Sequence, residues 1–360
     1  MSRKTWFQLL IVMTTLLSGA VYQTARAETF SFVALGDTAY NLPNDLPTYD
    51  ALITTINKAK PAFSIHVGDT WGANVCNDDE QKNVLAVFGK YEQPIVYTPG
   101  DNEWVDCRKP EVLAAYLRFV SHKPTPEDMV MLGKARSFDD SFALGSYDDG
   151  LHRLAAIRRI FFATAQSLGK HSMAVTRQSD VSEFKDMVEN ARWEHDGVIF
   201  GTINMPGSNN DFFVNSEARA LDAIRRTKAD VAWLKALFTE AKASNAKAVV
   251  IGMQASMFDE GEGNEDFGRP IRGGQNGPFW WIASAIRDFG SAFGKPVLLI
   301  NGDDHAFIVD KPFRVGSSET EAPKHDNITR LQVFGAPDLR AVRVTVDTDT
   351  PWVFGFAPLY

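Results

Sequence analysis

The residues best suited to chemistry in this 360-residue chain are aspartates that directly follow glycines: Gly36-Asp37, Gly68-Asp69, Gly100-Asp101 and Gly302-Asp303-Asp304-His305. Each pair ends a short apolar run, so each is expected in the loop that leaves a buried strand. A lone Gly-Asp is a common turn and says little about function. Four of them at the carboxyl edge of one sheet would gather their side chains where open α/β folds bind ligands. Clustered carboxylates repel one another unless a cation neutralises them, so the pattern points to a bound metal. The alternative is a pocket whose carboxylates are paired by Arg or Lys.

The elements that must position these aspartates follow from periodicity. Thr29 to Leu35, Ala62 to Val67 and Pro94 to Thr98 read as buried strands. Between them, Tyr49 to Lys60 and Asp78 to Lys90 carry apolar residues at helical spacing. Strand, helix, strand, helix, strand implies parallel pairing with right-handed crossovers. Residues 108–197 contain the helical stretches Glu111 to Val120 and Leu151 to Leu168, joined by polar and glycine-rich segments, and are expected to form a helical insertion or lid. Strand character resumes at Val198 to Met205, Ala248 to Met253 and Lys295 to Ile300, with helices over Ala218 to Ser244 and Pro278 to Phe293. The tail, Leu331 to Phe334, Ala341 to Val346 and Trp352 to Phe356, reads as antiparallel strands.

Arg3 and Lys4 precede an apolar run from Trp6 to Val21, and Ala25-Arg26-Ala27 supplies small residues at the positions a signal peptidase needs. Residues 1–27 therefore read as a signal peptide cleaved near Ala27, leaving one domain over 28–360. The apolar stretch is shorter than the ~20 residues a membrane span needs, which disfavours an anchor. No stable membrane insertion is expected after cleavage, and the protein is placed in the periplasm or secreted. The net charge of -8 offers no basic stripe for a phosphate backbone, so nucleic acid is not an expected partner. Cys76 and Cys107 each follow a Gly-Asp turn by a few residues, and in an oxidising compartment they are expected to form a disulfide in preference to two buried thiols.

The blocks Ala34-Leu35-Gly36-Asp37, His66-Val67-Gly68-Asp69, Pro99-Gly100-Asp101-Asn102-Glu103, Met253-Gln254 and Gly302-Asp303-Asp304-His305 have the order and spacing of the calcineurin-like metallophosphoesterases. The chain resembles that superfamily, to which purple acid phosphatases belong, over roughly residues 30 to 310. The resemblance implies an α/β fold, a four-layer α/β-β-α sandwich holding two metal ions bridged by the second aspartate. It assigns Asp37, Asp69, Asp101, Gln254, Asp303 and His305 to metal positions. The departures run in one direction. Ala39 stands where the first block has His, Asp101 where a metal-binding Asn belongs, and Asn102 where the family has its catalytic His. Gln254 and Asp303 replace two further imidazoles, leaving His305 as the one matching His of seven. Exchanging nitrogen for oxygen donors shifts preference from zinc or iron towards Mg²⁺, Mn²⁺ or Ca²⁺.

The implied function is hydrolysis of a small-molecule phosphate ester by metal-activated water. Asn102 cannot act as an imidazolium, so leaving-group protonation falls to Glu103, to a group behind it or to an already acidic leaving group. The alternative is a non-catalytic periplasmic binding protein whose degenerate pocket holds a cation. Candidate substrate contacts are Asn209 and Asn210, in a segment that also reads as a plain turn, and Trp104, for which packing beneath the loops is the competing role. Arg269 and Arg272 are candidate phosphate clamps or residues of a solvated loop. His66, on a buried strand, is expected to be a core histidine. Oligomeric state and substrate identity do not follow from these residues.

Overall fold

Alternation along the strands decides the layers. The computed structural model describes residues 29–41, 43–73, 76–107, 125, 150–212, 216–316 and 322–360. The signal peptide and the helix expected over Glu111 to Val120 lie outside the described residues. In β1 (Phe30–Leu35), Phe32 and Ala34 face one side while Val33 and Leu35 face the other, and all four are fully buried. A strand covered on both faces belongs in the middle of a layered α/β structure. β1 pairs in parallel with β2 (Ser64–His66), and β2 with β3 (Ile95–Tyr97).

A second sheet contains β4 (Thr176–Arg177), β5 (Ala191–His195), β6 (Val198–Thr202), β7 (Ala248–Gly252), β8 (Val297–Asn301), β9 (Ile308–Asp310) and β10 (Ile328–Gln332). Its order is β4-β5-β6-β7-β8-β10-β9. The first sheet is completed by β11 (Ala341–Val346), antiparallel to β1, and by β12 (Phe354–Leu359), giving the order β12-β11-β1-β2-β3.

Three apolar layers hold the two sheets and six described helices together. Phe32, Ala34 and Ile65 of the first sheet meet Phe200, Val250 and Leu298 of the second, forming the core between sheets. Outside the first sheet, Val33, Leu35 and Tyr97 pack under α1 (Leu46–Ala59), α2 (Asp78–Phe88) and α3 (Gly150–Phe161). Outside the second, Ile199, Ile251 and Leu299 pack under α5 (Glu217–Ala243) and α6 (Trp280–Phe293). A short helical turn, α4 (Gly207–Asn210), lies between β6 and α5. The order helix, sheet, sheet, helix is the α/β-β-α sandwich that the resemblance implied.

Three sequence expectations differ from this arrangement. The aspartates do not share one sheet: Asp37, Asp69 and Asp101 follow strands of the first, whereas Asp303 follows β8 of the second. Their common ground is the rim where the two sheets meet. Within 108–197, α3 ends at Phe161, and β4 and β5 extend the second sheet by antiparallel pairing onto β6. The reason is visible in β5, where Ala191 and Trp193 alternate with Arg192 and Glu194, a strand period, and Trp193 stacks on Phe200 at 5.3 Å. In the tail, β10 runs parallel to β8 and is antiparallel only to β9.

Cys76 and Cys107 form a disulfide with their Cα atoms 5.6 Å apart. It joins the segment after β2 to the segment after β3, tying together the loops that carry Asp69 and Asp101. Among the described residues no helix is long and apolar enough to cross a membrane.

Candidate metal centre

Asp37 and Asp69 turn sharply away from their strands. Both adopt left-handed backbone, with φ of 49° and 54°, a conformation that Asp tolerates better than most residues. The loops support each other: Asp37 donates its N–H to the Gly68 carbonyl at 3.0 Å and Thr38 donates to the Asp69 carbonyl at 3.1 Å. The two carboxylates are buried. Asp69 accepts from the Tyr40 hydroxyl at 2.6 Å and from the Asn102 N–H at 3.1 Å.

His305 completes the group, also with a left-handed backbone, at φ 57°. Its Nδ1 lies 2.8 Å from the Ala336 carbonyl, which can only accept, so Nδ1 carries the proton in the neutral ring. Nε2 is left with a lone pair, 3.9 Å from Asp37 Oδ1 and 3.3 Å from the Tyr40 oxygen. The single Tyr40 proton is directed at Asp69, so it does not fill that lone pair. One ligand atom each from Asp37, Asp69 and His305 all lie within 4.8 Å of one another. This donor set, two carboxylates and an imidazole oriented by a backbone carbonyl, fits a divalent cation.

A second pair of carboxylates lies beside the first. Gln254 donates from Nε2 to Asp101 Oδ1 at 3.2 Å and to Asp303 Oδ1 at 3.3 Å, and its Oε1 accepts from the Gly207 N–H. The Ser256 N–H donates to Asp303 Oδ2 at 2.9 Å. Arg272 stands 3.9 Å from Asp303 and 3.2 Å from Asp304, and also pairs with Asp259. Arg272 is therefore held by carboxylates at the edge of the cluster, and Arg269 is turned away to Asp310 at 2.8 Å.

Burial governs the electrostatics. Removal from water pushes the Asp37 carboxyl well above the usual range, with Asp303 and Glu103 adding repulsion. Burial does the same to Asp69, helped by Asp101 and Glu103, and to Asp101, helped by Asp106 and Asp303. Asp303 is pushed up to about 6 by burial, against the lowering effect of the Ser256 N–H. Four carboxyls that resist ionisation in the protein alone are stabilised as anions by a cation.

Other expected site residues are engaged in loop and packing contacts. Both oxygens of Glu103 are taken by the loops: Oε1 accepts from the Thr70 N–H at 2.7 Å and its hydroxyl at 2.9 Å, and Oε2 from the N–H groups of Gly100 at 2.9 Å and Asp69 at 3.2 Å. A carboxylate accepting four such bonds fixes the shape of the loops that carry Asp69 and Asp101. Trp104 is fully buried with the Arg226 guanidinium 4.8 Å over its ring, so it walls no pocket. Asn210 is likewise fully buried, bonded to Arg226 and, at 3.0 Å, to Thr227. Asn209 uses its amide on the Phe212 carbonyl at 2.8 Å, as a turn residue does. His66 is buried, with Nδ1 accepting from the Gly68 N–H at 3.2 Å and burial pushing its pKa down to about 3.

Sequence reasoning missed the segment after β10. Gly335 lies so close to the centre that a Cβ there would stand 2.7 Å from Asp37 Cβ and 2.7 Å from His305 Cγ. Its neighbour Ala336 donates to the Asp37 carbonyl at 2.7 Å while accepting from His305. The one available signal was the strand-ending Gly335-Ala336-Pro337.

The chain is thus an α/β-β-α sandwich with a candidate metal centre at the rim between its sheets. No family model matches its sequence, and no curated protein matches it. Among solved structures it is similar to PhoD, at 12% identity over 90% of this chain with a TM-score of 0.45, and it spans 65% of the length of that protein. It is also similar to a dimetal phosphatase from Danio rerio, at 9% identity over 92% of this chain and 98% of that one, TM-score 0.46. A third likeness is to GAP50, described as the anchor in the inner membrane complex of Plasmodium, at 11% identity over 92% of this chain and 88% of that one, TM-score 0.41.

Proposed function

We propose that this protein is an exported, metal-dependent phosphoesterase acting on a small-molecule phosphate ester. The observation that carries the reading is the convergence of Asp37, Asp69 and His305 ligand atoms to within 4.8 Å. Those three positions are also metal positions in the family that the sequence resembles. A bound divalent cation supplies Lewis acidity for attack of water on phosphorus. Mg²⁺, Mn²⁺ or Ca²⁺ suits a site this rich in oxygen better than zinc or iron. Export is supported by the N-terminal sequence and by the disulfide, which persists in an oxidising compartment.

The chain's own residues divide the remaining work. His305 is held in one tautomer by Ala336, and Asp69 is oriented by Tyr40 and the Asn102 N–H. Glu103, the carboxylate next to Asn102, is committed to the loops and so does not take the place of the missing imidazole. Leaving groups that need no protonation should therefore react fastest. Purified protein supplied with Mn²⁺ or Mg²⁺ is expected to hydrolyse aryl phosphate mono- or diesters well ahead of alkyl ones. Comparable rates on both would contradict this reading of the site. The commitment of Glu103 also favours a second reading, a non-catalytic protein that holds a cation in this pocket. A tightly bound ion with no hydrolysis across a broad phosphoester panel would select it.

A further inference from the structure

The resemblance implies two metal ions, and the residues here fit only one of the two positions. The position formed by Asp37, Asp69 and His305 presents an unshared imidazole lone pair and two buried carboxylates. The position beside it, between Asp101 and Asp303, presents hydrogen. The Gln254 amide orientation is fixed by the Gly207 N–H, a donor that demands Oε1, so NH₂ must face the carboxylates and bridges Asp101 and Asp303 at 3.2 and 3.3 Å. The Gly207 backbone borders the same gap: a Cβ built on it would stand 2.5 Å from Asp303 Oδ1 and 2.6 Å from Asp101 Oδ2. Arg272 and the Ser256 N–H supply further positive character to Asp303, at 3.9 and 2.9 Å.

We infer that this centre is mononuclear, with the Gln254 side-chain amide standing in place of the second cation between Asp101 and Asp303. An amide NH₂ whose hydrogens face the carboxylates does not coordinate a metal through its nitrogen, and the amide oxygen is already engaged by the Gly207 N–H. The inference rests on the metal-site reading above, because it concerns how many ions that site takes.

The test is metal stoichiometry. Full-length purified protein is saturated with Mn²⁺, freed of excess ion and measured by elemental analysis and electron paramagnetic resonance. A single ion per chain is expected, with the spectrum of an isolated Mn²⁺ and no exchange-coupled pair. Asp101→Asn should keep that ion, since the residue lies outside its ligand set, whereas Asp69→Asn should lose it. Gln254→Glu removes the bridging NH₂, adds a carboxylate and should admit a second Mn²⁺. Two coupled ions in the unaltered chain, loss of the ion in Asp101→Asn, or a single ion in a folded Gln254→Glu protein would each overturn the inference while leaving a metal-dependent phosphoesterase standing. Absence of any bound ion would remove both.

Discussion

The backbone N–H of Asp303 donates to both carboxylate oxygens of Asp37, at 3.1 Å each. The bond joins the loop after β8 in one sheet to the loop after β1 in the other, across 266 positions of chain. It is one of the contacts that join the two sheets at the rim, with Gln254 to Asp101 and Ala336 to the Asp37 carbonyl, and it is made by a carboxylate that is also a candidate ligand. As carboxylates Asp37 and Asp303 repel each other, and a cation held by Asp37 would offset that repulsion.

Metal removal should therefore cost stability. Chelation is expected to lower the unfolding temperature and excess Mn²⁺ to restore it, by about 2.7 kcal/mol at a hundredfold excess over the dissociation constant. Asp69→Asn should show neither response. Calorimetry with and without chelator decides it, and a metal response surviving in Asp69→Asn would contradict the ligand set.

Tyr40 should act through Asp69. Its hydroxyl donates to Asp69 at 2.6 Å and its ring meets His305 edge to face at 5.0 Å. Tyr40→Phe keeps the ring and removes the bond, and is expected to weaken Mn²⁺ binding by about 10–100-fold without unfolding the protein. Titration calorimetry measures this, and unchanged affinity would show that the hydroxyl orients nothing.

Glu103 should matter for stability and leave the pH profile of any hydrolysis in place. Glu103→Ala strips acceptors from the N–H groups of Asp69, Thr70 and Gly100, and a loss of about 2–4 kcal/mol is expected in denaturant titration. Loss of an acidic or basic limb from the pH–rate curve in Glu103→Gln would instead return it to a role in proton transfer.

Asp230, far along α5, gives a pH-dependent test outside the centre. Burial pushes its carboxyl well above the usual range; Oδ1 accepts from Asn190 at 2.7 Å, and Oδ2 has no partner among the described residues. A raised folded pKa means that its contribution is fully present below the unfolded value of about 3.9 and is lost as pH rises through the folded value. Asp230→Asn keeps the acceptor and removes the titration. Its stability gain over the native chain should thus grow with pH above about 4, by up to about 1.4 kcal/mol per unit while the native carboxyl stays protonated. An equal effect at pH 4 and pH 7 would contradict the assignment.

The sequence by itself determined the strands that end in the Gly-Asp turns, the order of the first three with their crossover helices, and the aspartates at their ends, because alternation, helical spacing and Gly-Asp turns are local properties of the chain. It also pointed to the pairing of Cys76 with Cys107, since both follow turns at one edge of the first sheet. Only the tertiary structure decided which strands share a sheet, and so placed Asp303 opposite Asp37 instead of beside it. It decided likewise that Glu103 serves the loops, that Trp104 and Asn210 are buried against Arg226, and that Gly335 and Ala336 hold His305. Those roles depend on the direction of a side chain and on neighbours that only the fold brings to it, or on close packing that spacing does not encode. A residue type limits what chemistry a position can perform; the partners that reach it through space decide which of those it does.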